Sequence, residues 1–246
     1  MSFIEQIRIN RSIRDLDFKN YTKSPATVLL NVHDIDRESF ENFTTKGNRY
    51  LPYDNRPSYG FTGDAQDEVA PHFDGVSADD PRKVPEWLFF WAASEIEEGI
   101  GGDYKVCDCT AVEKDSALLK RLQGVRQQFV NYSASVKGGS GRDEFSFPVL
   151  QTYRGKQCLR VFLDAEDKDI RKVPGVQTKF IGPDGQEMEE LRKPIHDLYK
   201  DKNNYQHVRL EKKNILIVNN FLCFHGRARL QRVSNRLFYR VQSLAA

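Results

Sequence analysis

The chain alternates short apolar runs with polar, glycine- and proline-rich stretches, and few runs carry a helical period. Residues 26–32 (Ala26, Val28, Leu29, Leu30 and Val32 among them) read as a buried strand, and 36–43 follow with a helical pattern. An aromatic run, 87–93, reads as a second buried strand. Gly99, Gly101 and Gly102 mark a turn, after which 103–109 resume an extended pattern. The strongest helical period is 116–129, with Leu118, Leu119, Leu122, Val125 and Phe129 at its apolar positions. Further strands are expected at 149–153, 158–163, 207–210, 214–218 and 236–242, and a second helix at 188–200. Residues 48–71 are rich in Pro, Gly, Asn, Asp and Tyr and read as a long irregular loop, a kind that is usually functional. Gly138-Gly139-Ser140-Gly141 reads as a flexible tip that can order on ligand binding. Many short strands and few helices predict a mainly β fold of the α+β class. The expected architecture is a double-stranded β-helix (jelly roll) with flanking helices, in a single domain spanning 1–246.

Composition narrows the function classes. The 246 residues are 39% hydrophobic and 29% charged, the balance of a globular protein rather than a disordered one. A net charge of +2, with basic residues scattered apart from Arg227, Arg229 and Arg232, gives no field for nucleic acid or an anionic membrane. The longest apolar stretches, such as Ile215-Leu216-Ile217-Val218, are far short of a membrane span. Met1-Ser2-Phe3-Ile4-Glu5-Gln6 has no basic segment followed by an apolar one. The cysteines Cys107, Cys109, Cys158 and Cys223 lack the C-x-x-C spacing of a zinc site and are too few for a disulfide scaffold. A reduced, cytoplasmic protein acting on a small molecule is the expectation, and oligomeric state leaves no trace in the pattern.

Candidate chemistry sits in two separated pieces. The first is Ala70-Pro71-His72-Phe73-Asp74-Gly75; on an extended segment, residues two apart point to one face, so His72 and Asp74 project together. In the second, the apolar run 215–218 enters a polar turn and then delivers His225, followed by Gly226-Arg227. Two histidines and one carboxylate make the facial set of oxygen-activating iron enzymes. Three ligands on one face leave three cis positions open, enough for a 2-oxoacid to chelate through two and dioxygen to take the third. An H-x-D alone arises often by chance, as a loop histidine beside a solvated aspartate, and His225 alone reads equally well as a histidine ending a core strand. Their occurrence together and in this order is what carries the reading.

Arg236 and Arg240 lie eleven and fifteen residues beyond His225. As a strand, this segment puts Arg236, Phe238 and Arg240 on one face and Leu237 and Tyr239 on the other. Buried guanidinium groups need anions, and a dicarboxylate pairs with them bidentately. An exposed face paired with Asp or Glu is the alternative. Other features have blander readings: Trp87, Phe89 and Trp91 as core rather than a stacking platform, and Cys223 as a small buried hydrophobe. His33, His196 and His207 read as surface or supporting groups. Arg56, Tyr59 and Phe61, in the loop before His72, suit substrate contacts and ordinary loop packing equally.

With these residues assembled, the chain resembles the taurine dioxygenase and clavaminate synthase superfamily of 2-oxoglutarate oxygenases over about residues 28–240. The matching pieces are Ala70 to Asp74, Glu98-Gly99-Ile100-Gly101-Gly102-Asp103, Asn219-Asn220 through His225-Gly226-Arg227, and Asn235 to Arg240. The resemblance implies iron(II) on His72, Asp74 and His225, and 2-oxoglutarate and dioxygen as cosubstrates. It also implies that Arg236 pairs with the distal carboxylate of 2-oxoglutarate, with Arg240 assisting it or holding an anionic part of the substrate. Where relatives often carry Thr after Gly-Gly-x, this chain has Tyr104, whose hydroxyl is the available substitute. The implied reaction is oxidative decarboxylation of 2-oxoglutarate to succinate and carbon dioxide, coupled to hydroxylation of an unactivated C–H bond; related enzymes desaturate, cyclise or epoxidise. Retention of Asp74 argues against halogenation. Two other classes compete: a non-catalytic jelly roll that binds a metal or ligand, and a zinc hydrolase with a His/Asp/His site. The second leaves the strand-borne arginines unexplained.

Overall fold

In a computed structural model of the protein, residues 3–46, 69–75, 84–130, 144–162, 177–231 and 237–244 are described. Strands β1 (Ile4–Arg8) and β2 (Ala26–Leu30) are followed by helix α1 (Arg37–Thr45) and strands β3 (Val69–His72), β4 (Trp87–Ala92) and β5 (Tyr104–Asp108). Helix α2 (Ser116–Arg121) leads into β6 (Arg126–Val130), β7 (Glu144–Pro148), β8 (Leu150–Tyr153), β9 (Lys156–Leu159) and β10 (Gln177–Ile181). Helix α3 (Arg192–Lys200) precedes β11 (Tyr205–Val208), β12 (Ile215–Asn219), β13 (Cys223–Arg227) and β14 (Phe238–Ser243).

Two sheets form the frame, one of order β1-β2-β12-β4-β14 and one of order β11-β5-β13-β3. They are open sheets laid face to face, not a closed barrel. Phe90 of β4 reaches across to His225 of β13 (ring centroids 5.5 Å) and to Tyr104 of β5 (4.8 Å). The central strands of the larger sheet are apolar throughout because both their faces are covered. Leu88, Phe90, Leu216 and Val218 point into the sandwich. The alternate residues Trp87, Phe89, Trp91, Ile215 and Ile217 point outward into a second cluster with Phe18, Phe40 and Phe43. Trp87, Phe89 and Trp91 are therefore core, as the sequence predicts. Helix α1, which supplies Phe40 and Phe43, is started by a capping box in which Asp36 and Ser39 bond each other's backbone N–H.

The expected helix over 116–129 is wrong in its second half: α2 ends at Arg121, and 126–130 are strand β6. Gly124, at φ +74° with a Cβ position only 2.9 Å from Pro183 Cγ, turns the chain out of the helix. Beyond it β6 pairs with both β7 and β10 in a three-stranded sheet. Leu118, Leu122, Val125 and Phe129 all enter one core, so two elements converging on the same cluster imitated a single helical stripe. Strands β1, β7, β10 and β13 were not anticipated either, and the loop expected over 48–71 gives way to β3 at Val69. The helix expected over 188–200 is a short 3-10 turn, Glu189–Leu191, followed by α3. His33 and His207 are exposed, whereas His196 is buried on α3. The 138–141 tip and Arg56, Tyr59 and Phe61 lie outside the described residues. Among the described residues no helix is long and apolar enough to cross a membrane.

Candidate metal centre

The site is built where β3 meets β13. The two strands pair antiparallel with His72 directly opposite His225, and on β13's other side β5 sets Val106 opposite His225. Directly opposed residues share a face, so both imidazoles point into the sandwich, their ring centroids 4.5 Å apart. Two residues beyond His72, Asp74 sits in the turn that follows β3. Its Oδ1 is 3.6 Å from His72 Nε2 and 3.8 Å from His225 Nε2. One donor atom from each of the three lies within 4.8 Å of the others, and no second such group occurs among the described residues.

Burial grades across the site. The His225 side chain is 4% exposed, Asp74 11% and His72 24%, so the centre opens on the His72 side. Both ring nitrogens of His225 are buried without a hydrogen-bond partner, and each such vacancy costs about 1–3 kcal/mol in an apolar interior. A cation bound at Nε2 removes one of them, which is the direct structural sign that these residues fit a metal. Burial, reinforced by the charges of His72 and Arg240, pushes the His225 imidazolium down to about 3, so this side chain is neutral and ready to ligate. For Asp74, burial alone would raise the carboxyl. The charges of Arg240 and His225 and the hydrogen bond from His72 outweigh it and hold the group well below the usual carboxylate range. Of the two charges, that of Arg240 is the one that remains when His225 is neutral. The buried thiols are unsuited to compete: burial lifts Cys107 and Cys158 to about 12, and Cys109 and Cys223 well above their usual value.

Asp74 is held at both ends. Its backbone N–H donates to Asn220 Oδ1 (2.9 Å), and Asn220 Nδ2 donates to the Asp74 carbonyl (3.0 Å) and to the Pro85 carbonyl (2.9 Å). Its carboxylate Oδ2 accepts from Gln242 Nε2 (2.5 Å) and Arg240 NH1 (3.3 Å), both on β14. The sequence reading found His72, Asp74, His225 and Arg240 but gave no role to Asn220 or Gln242. Strand alternation from Arg240 was the signal for Gln242, and the polar pair Asn219-Asn220 closing an apolar strand was the signal for Asn220. Arg240, expected to hold the cosubstrate or an anionic substrate group, lies with its guanidinium on Asp74. Tyr104 opposes Arg227 in the β5–β13 register, on the face that carries His225, with its ring 5.8 Å from that of Phe238. Arg236 lies outside the described residues.

No curated protein sequence matches the chain. Among solved structures, PvcB from Pseudomonas aeruginosa superposes with a TM-score of 0.73 at 15% identity, over 98% of this chain and 87% of that one. A second PvcB structure, described as an Fe, alpha-ketoglutarate dependent oxygenase from an isonitrile synthetic pathway, gives 0.69 at 16% over 98% and 87%. A taurine dioxygenase from Burkholderia xenovorans gives 0.69 at 14% over 100% and 89%. These likenesses establish the jelly-roll fold. The family model for the taurine catabolism dioxygenases, TauD and TfdA, matches residues 19–242. Nearly the whole chain is thus accounted for, and the protein belongs to the TauD/TfdA family of iron(II)- and 2-oxoglutarate-dependent dioxygenases.

Proposed function

We propose that the chain uses an iron(II) ion held by His72 Nε2, Asp74 Oδ1 and His225 Nε2 to couple decarboxylation of 2-oxoglutarate to hydroxylation of a C–H bond in a small polar metabolite. The observation that carries this assignment is the convergence of the three donors, one of them a buried imidazole whose ring nitrogens have no hydrogen-bond partner. Iron, when bound with 2-oxoglutarate and dioxygen, supplies the oxidising power that no side chain of this protein has. The side chains do the rest. Two neutral imidazoles and one carboxylate leave one positive charge uncancelled to attract an anionic chelator. Phe90, packed on His225, walls the inner side against water.

Arg240 places a cation 3.3 Å from the ligating carboxylate, where an anionic group of a bound ligand would meet it. Arg236 is assigned to the distal carboxylate of 2-oxoglutarate and the Tyr104 hydroxyl to a supporting contact. A cytoplasmic location belongs to the same reading, since all four cysteines are free thiols.

The test has two parts. Anaerobic Fe(II) and 2-oxoglutarate together should give a weak visible charge-transfer band that neither gives alone. In air, succinate should form in proportion to an oxidised product across a panel of amino acids and related acids. A band without succinate under any condition favours a non-catalytic binding module, and absence of the band removes the iron assignment.

A further inference from the structure

Asp74 has two carboxylate oxygens, and the structure treats them differently. Oδ1 faces the imidazoles of His72 and His225 at 3.6 and 3.8 Å. Oδ2 is turned to β14, where Gln242 Nε2 donates at 2.5 Å and Arg240 NH1 at 3.3 Å. The two donors differ in burial. Gln242 is 6% exposed and set in the sandwich by strand alternation. Arg240 is longer, charged, and its side chain is 29% exposed.

Resting on the metal-centre reading above, we propose that Gln242 is a positioning residue that confines Asp74 to one-oxygen ligation and keeps it there when Arg240 turns to an anionic ligand. Rotation of the carboxylate about Cβ–Cγ, the motion that would offer both oxygens to one cation, breaks the Gln242 and Arg240 bonds to Oδ2. The backbone cannot follow, because Asn220 grips Asp74 N–H and C=O together. The consequence is chemical: a second carboxylate oxygen on the metal would leave two open positions in place of three, one too few for a two-point chelator and dioxygen. A neutral amide suits the task better than a second cation. It satisfies Oδ2 without adding positive charge beside a divalent ion and without cancelling the carboxylate charge that draws the metal in.

The proposal is tested on the full chain with Co(II), whose visible d–d spectrum reports coordination number, alongside calorimetric titration. Gln242→Met keeps length and bulk but loses the donor; Gln242→Leu loses the donor with a shorter, branched side chain. Both should bind Co(II) about 10- to 100-fold more weakly, with a d–d spectrum differing from wild type while far-UV circular dichroism is unchanged. Either variant decides the matter if the other does not fold. A purely structural role for Gln242 would lower the melting temperature and leave the Co(II) spectrum as in wild type, which overturns the proposal, as does an affinity within twofold of wild type. Asp74→Ala separates the two levels of inference. If wild type and Asp74→Ala bind Co(II) alike, the metal-centre reading itself fails. If Asp74→Ala loses binding while Gln242→Met keeps it, only the role of Gln242 fails.

Discussion

Asn220→Ala isolates the device that fixes the backbone of the central carboxylate ligand. The Asn220 side chain is 2% exposed, and its amide serves three main-chain groups: Asp74 N–H, Asp74 C=O and Pro85 C=O, at 2.9, 3.0 and 2.9 Å. Truncation leaves all three without their partner. Each buried unpaired group costs about 1–3 kcal/mol, and water entering the space left by the amide relieves part of that. A net loss of about 3 kcal/mol follows, below the ~5–15 kcal/mol by which domains are ordinarily stable, so the variant should still fold. Urea denaturation of the metal-free protein at neutral pH, with an unchanged m-value, measures it. Asn220→Asp sharpens the test. It can still accept from Asp74 N–H, but sets an oxygen against two carbonyls, so it should lose at least as much as the alanine variant. A loss below about 1 kcal/mol in both would show that the three bonds do not hold the Asp74 segment, and the reasoning would be refuted.

Other expectations are as direct. Asp74→Ala should abolish 2-oxoglutarate-dependent succinate formation, and succinate at the wild-type rate would remove Asp74 from the metal set. Because His225 is held near 3 in the folded state against about 6.5 when exposed, the unfolded chain takes up a proton that the folded one refuses. Stability of the metal-free protein should be full above about pH 6.5 and fall as pH drops toward 3, by up to about 1.4 kcal/mol per pH unit for one proton. His225→Gln should flatten that slope in urea titrations at several pH values; equal slopes would contradict the assignment. Asp74, depressed, works in the same sense at lower pH, its contribution being lost only as the medium becomes more acid than about pH 4. Gly101→Ala puts a Cβ 2.6 Å from the Arg229 carbonyl at a backbone φ of +70°, and should cost about 2 kcal/mol by the same denaturation assay.

What could be read from the sequence follows from where period and chemistry coincide. His72 and Asp74 were legible because residues two apart can reach one face, although Asp74 proves to sit in the turn after β3 rather than on the strand, and His225 only through its order after that pair. Phe89 and Trp91 were legible as core from alternation alone. The stretch 116–129 misled because Leu118, Leu122, Val125 and Phe129 bury in one cluster whichever element carries them, and only Gly124 distinguishes a helix from a helix, a turn and a strand. Gln242 was passed over because strand alternation from Arg240 puts it on the same face but names no partner for it until Asp74, 168 residues away in sequence, is brought against it. Asn220, likewise, acts on backbone groups that a sequence does not display.

The most direct test of the account is a crystal of the protein grown anaerobically with Mn(II), a stand-in for iron(II), and 2-oxoglutarate, with anomalous scattering recorded at the manganese edge. The account predicts one anomalous peak bonded by His72 Nε2, His225 Nε2 and Asp74 through Oδ1 alone, with Oδ2 still turned to Gln242 and 2-oxoglutarate completing the sphere. A peak elsewhere, or a metal at this place lacking any one of the three side chains, would contradict it.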